Sequence, residues 1–157
     1  TENIAVGEHE DRATTLITLV RDLADYCQRL QRKGQPLSKD KHVRQILMHL
    51  YIEARIARLL LLRNDWMCKN DQILTYENFQ ILALQRIEAE ETGEALLDIL
   101  GPYALTTDRD IDGLDGQAEL YLRNSLNFAR LGGSINLHRA QMACAIGITD
   151  FIIDAID

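Results

Sequence analysis

Only two of the 157 residues are proline, three are cysteine and 6% are aromatic. So little proline, with 9 glycines, excludes a collagen-like or low-complexity chain. The cysteines, Cys27, Cys68 and Cys144, are odd in number and form no C-x-x-C. That excludes a disulfide frame and gives no support to a zinc site, so they read as reduced thiols of a cytoplasmic protein. Positive charge is also in deficit: 17 Lys and Arg against 24 Asp and Glu leave a net charge of −7. Nucleic acid is then an unfavourable partner unless the basic residues gather on one face. No stretch approaches 18 apolar residues without a charge, and residues 1–20 lack the basic and apolar regions of a signal peptide, so neither a membrane span nor secretion is expected. What remains, 46% hydrophobic and 26% charged residues, suits one globular domain.

Helical periodicity runs through most of the chain. Leu16, Val20, Leu23, Cys27 and Leu30 follow spacings of four and three, predicting a helix from about Glu10 to Arg32 that Gly34 and Pro36 stop. A second opens at Ser38 or Asp40, either of which can cap a first turn, and continues through Val43, Leu47, Leu50, Ala54 and Leu61 to Arg63 or beyond. Residues 56–62 are apolar nearly all round, as in a helix buried on several sides or one that meets another subunit. A third runs from near Thr75 to Leu100, before Gly101 and Pro102. The Asp- and Gly-rich segment 106–116 reads as a loop, and a fourth helix covers about Gln117 to Ala129. Gly132 and Gly133 break it, and Ser134 caps a last helix through Ile148 and on toward the C-terminus. No alternating run predicts a strand. The expected fold is all-α, an antiparallel four-helix up-and-down bundle with an additional C-terminal helix.

Bundles can hold metals, but the Glu-x-x-His pairs of two-metal carboxylate sites are missing. His49 and Glu53 stand four apart and read as a surface hydrogen bond, and His9, His42 and His138 as solvated side chains. The acidic run Glu88, Glu90, Glu91 and Glu94 lacks the turn of a calcium loop and reads as a solvated helix face. The stretch LGGSINLHR at 131–139 joins two glycines to a helix start, which suits either a phosphate cradle or a plain interhelical turn.

Four segments, in order, carry a likeness that spans essentially the whole chain. They are YCQRLQRKGQPL at 26–37, VRQILMHLYIEARIARLLLLR at 43–63, DILGPYAL at 98–105, and the run from Tyr121 through Arg123 to Arg139. Together they resemble the C-terminal helical domain of the acyl-CoA dehydrogenase family, with its "FGKPL" turn, "LLGPYGLL" segment, and "YLRS" followed by "GGTSEIQR". The resemblance implies FAD-dependent oxidation of acyl-CoA to 2-enoyl-CoA, with an electron-transfer flavoprotein downstream. It further implies a place for this domain in a homo- or hetero-oligomer core, and N-terminal helical and middle β domains that residues 1–157 do not contain, so that this domain alone is expected to be inactive. By position, Gly101, Gly133, Ser134 and Arg139 match flavin-contacting residues, and turn and cap formation accounts for the same four equally well.

Departures accompany the matches. The Glu that many members use as base is Gly132 here, which has no side chain to accept a proton. Other members place the base near the start of this domain, and ENIAVG at 2–7 is similar to their "ERVAIG", which makes Glu2 the candidate. Leu30, Lys33 and Asp98 replace an Arg, a Phe and a Gln of the usual flavin positions, and the charge of Asp98 disfavours a pyrophosphate. The rival expectation is therefore a base-lacking structural subunit of a heteromeric complex of the same family. A metal-binding ferritin-like bundle is a third, and it lacks the ligands.

Overall fold

The computed structural model describes the backbone of residues 2–108, 114, 116–128 and 134–148, and the side chains of residues 14–108, 114, 116–125 and 134–148. Within these residues the chain is helical almost throughout. Helix α1 spans Glu2–Arg29, α2 Lys41–Lys69, α3 Glu77–Leu100, α4 Gln117–Phe128 and α5 Ile135–Ala145, with short 3-10 turns at Leu37–Lys39 and Gly101–Leu105. The all-α class and the order of helices agree with the sequence reading.

The first difference is a small hairpin. Gln31–Arg32 pairs antiparallel with Gln35–Pro36, so α1 ends at Arg29 and not at Arg32. Lys33 and Gly34 both take positive φ, 55° and 76°, and turn the chain at once. The hairpin is fastened twice: Leu37 donates its N–H to the Leu30 carbonyl at 2.8 Å, and Arg32 donates to the Ile99 carbonyl near the end of α3 at 3.4 Å. Pairs of two residues carry no periodic signal, which is why alternation did not reveal them.

Asp40, not Ser38, caps α2, its Oδ1 accepting from the His42 N–H at 2.8 Å. At the other end Asn70 donates its side-chain amide to the Trp66 carbonyl at 2.7 Å and Asp71 turns the chain at φ 54°. Ser134 caps α5 as expected, its Oγ accepting from the Leu137 N–H at 3.1 Å. That helix ends at Ala145, short of Ile148, where Gly147 adopts φ 74°. Residues 149–157 lie outside the described residues.

Helix α3 is the centre of the bundle, packing against α2, α4 and α5. Leu96, Ile99 and Leu100 join Leu16, Val20, Leu23 and Cys27 of α1, Leu50 and Ala54 of α2 and Ala118 of α4 in one core. Being surrounded, α3 buries polar residues that a two-faced reading assigns to water. Glu88, expected on a solvated face, is only 4% exposed, whereas Glu90 and Glu94 are exposed as expected. The reverse holds for α2, whose outer side leaves Met48, Ile52, Ile56, Leu59, Leu62 and Trp66 uncovered among the described residues.

The cysteines differ in access. Cys27 is buried, Cys144 intermediate and Cys68 exposed. Burial pushes the Cys27 thiol up to about 11, with the Arg32 charge pulling partly back. Thiolate is the reactive form. Iodoacetamide at pH 8 is therefore expected to label Cys68 in the folded protein and Cys27 only after denaturation, as mass spectrometry of the labelled peptides will read.

Candidate functional site

Gly101 terminates α3. It holds φ 59° and ψ −135°, a conformation that residues with a Cβ rarely adopt. A Cβ built there meets nothing within 4 Å, so the glycine answers to backbone geometry and not to crowding. Gly101→Ala is accordingly expected to lower stability by about 1–3 kcal/mol in the absence of any flavin, measured by thermal unfolding. Beside it Asp98 is exposed, 3.9 Å from His42 Nε2. Across from it Arg32 holds the Ile99 carbonyl.

Segment 29–44, which turns at that end of the bundle, is basic. Arg29, Arg32, Lys33, Lys39, Lys41 and Arg44 are all exposed, with Asp40 the one carboxylate between residues 29 and 44. The sequence reading allowed a polyanion only if the basic residues clustered, and six of the 17 do so here.

Ser134 and Arg139 belong to the other end. The His138 ring stacks on Phe79 at 6.4 Å between centroids, which sets the start of α5 beside the start of α3. From Phe79 to Gly101 the helix rises about 33 Å, and Ser134 lies about 6 Å along α5 from His138. The structure thus separates Gly101 from Ser134 and Arg139 by about 20 Å or more along the bundle. Both Ser134 and Arg139 are exposed. Because Ser134 Oγ serves the cap as an acceptor, its own hydrogen remains available to donate. Gly132 and Gly133 lie outside the described residues. Glu2 is the first residue of α1, at the far end of that helix from the hairpin, and its side chain lies outside the described residues.

Two histidines depart from expectation. His138, read as solvated, is only 3% exposed, with Nδ1 3.2 Å from Gln141 Oε1 and Nε2 meeting no hydrogen-bond partner among the described residues. Its partner Phe79 is 59 positions away in sequence, so local composition gave no sign of it. His49 pairs across helices with Glu91 at 3.1 Å, not with Glu53. Among the described residues no group of three or more His, Cys, Asp or Glu side chains could hold a metal ion. No described helix is long and apolar enough to cross a membrane.

One carboxylate passed unnoticed in the sequence. Glu77 opens α3 nearly buried, and its Oε2 accepts from the Thr75 N–H at 2.7 Å and the Thr75 hydroxyl at 3.3 Å. Burial pushes its pKa up, but these hydrogen bonds, its own backbone N–H and the Arg63 charge outweigh burial and hold it below the ordinary value of 4.5. Its stabilising contribution is present above that ordinary value and lost as the pH falls through the lower folded one. Glu77→Gln is expected to reduce stability by about 1 kcal/mol at pH 7 and to flatten the acid side of the stability curve, measured by urea unfolding at pH 7 and pH 3.

Residues 13–147 match the family described as acyl-CoA dehydrogenase, C-terminal domain. No curated protein matches the sequence. Among solved structures, the FAD complex of PigA superposes with a TM-score of 0.72 at 17% identity, covering 85% of this chain and 33% of that one. The ChsE4-ChsE5 complex from Mycobacterium tuberculosis gives 0.70 at 16% identity, over 89% of this chain and 37% of its own. At such identities the likeness concerns the fold. The chain spans about a third of the length of the solved structures it matches.

Proposed function

Because the chain belongs to the acyl-CoA dehydrogenase family through its C-terminal domain, we propose that it is the helical bundle domain of an FAD-dependent enzyme that oxidises acyl-CoA to 2-enoyl-CoA. In this reading it supplies part of the flavin site and the oligomer core, beside an N-terminal helical and a middle β domain. An electron-transfer flavoprotein takes the electrons onward. The family match over residues 13–147 carries the reading.

Flavin, when bound, accepts a hydride from the carbon one removed from the thioester-activated position. This chain's own groups divide by position. Ser134, with a hydroxyl hydrogen to donate at a helix start, and Arg139, an exposed cation, fit the phosphate oxygens of the dinucleotide. Gly133 joins them by its place next to Ser134. Gly101 stands too far away to share that contact, and the exposed Asp98 beside it repels phosphate, so its contribution is to a separate part of the cofactor or to that of another copy. Glu2 takes the proton from the carbon beside the thioester carbonyl.

A second reading is favoured by Gly132, which puts no side chain where many members have their base, and by likeness to a complex of two differently named chains, ChsE4-ChsE5. Here the chain is the base-lacking structural subunit of a mixed assembly.

Flavin absorption near 450 nm of the purified protein that carries this domain, alone and co-expressed with a homologous subunit, tests both. Flavin in the lone protein supports the first reading. Flavin only in the mixed assembly supports the second, and none in either overturns both.

A further inference from the structure

We draw no further inference here: the strongest candidate, the side-chain cluster of Asp108, Asp110, Asp112 and Glu119, spaced as in a calcium loop ahead of α4 and in its first turn, is a set of carboxylates of which Asp110 and Asp112 lie outside the described residues, and no second observation points to a bound cation.

Discussion

Leu96→Ala is expected to lower the unfolding free energy by about 3–4 kcal/mol, with the slope of the urea transition unchanged. Leu96 is fully buried in the principal core, on the helix that packs against α2, α4 and α5. Removing three methyl and methine carbons there forfeits their transfer free energy, and a helix held from three directions cannot move in to close the cavity. Leu97→Ala, one position on and exposed, is the matched control, with an expected change of about 0.5 kcal/mol or less. Equal losses at the two positions would show that α3 does not occupy the centre of the bundle.

The largest functional effect is expected from Glu2→Gln in the protein that carries the other domains. The amide keeps the size of the carboxylate and cannot take a proton at neutral pH. If Glu2 is the proposed base, kcat falls by about 100- to 10,000-fold, the usual contribution of a positioned proton acceptor. Flavin absorption and the KM for acyl-CoA stay near their original values, because Glu2 is assigned no part in holding either. Unchanged turnover removes Glu2 from the chemistry. With Gly132 unable to serve, the base would then be a residue other than these two.

Much of this fold is legible in the residues because four of the helices carry their punctuation locally. Leu16, Val20, Leu23 and Cys27, picked out by spacing, are all buried core residues, and Ser134 caps where a hydroxyl before a helical run predicts it. Legibility fails where the deciding partner is distant. The hairpin at 31–36 is pinned by the Ile99 carbonyl, and His138 is buried by Phe79. Periodicity also assumes that every helix has one wet side. Helix α3 has little of one, so Glu88 and Thr92 are buried, while the richly apolar second half of α2 keeps an open face. Of residues 56–62, Ala57 and Leu61 are buried while Ile56, Leu59 and Leu62 are exposed among the described residues, so within this chain the segment is not buried on several sides. The candidate site was less legible still. Gly101 and Ser134 look like neighbours in a list of motifs and stand at opposite ends of the bundle.

The basic segment 29–44 gives the molecule a further property. Six cations within sixteen residues, beside the exposed Asp98 and Asp108, make the hairpin a locally basic patch on a body whose total charge is −7. An anion meets attraction there only within about a Debye length, ~8 Å at physiological ionic strength, and net repulsion from farther away.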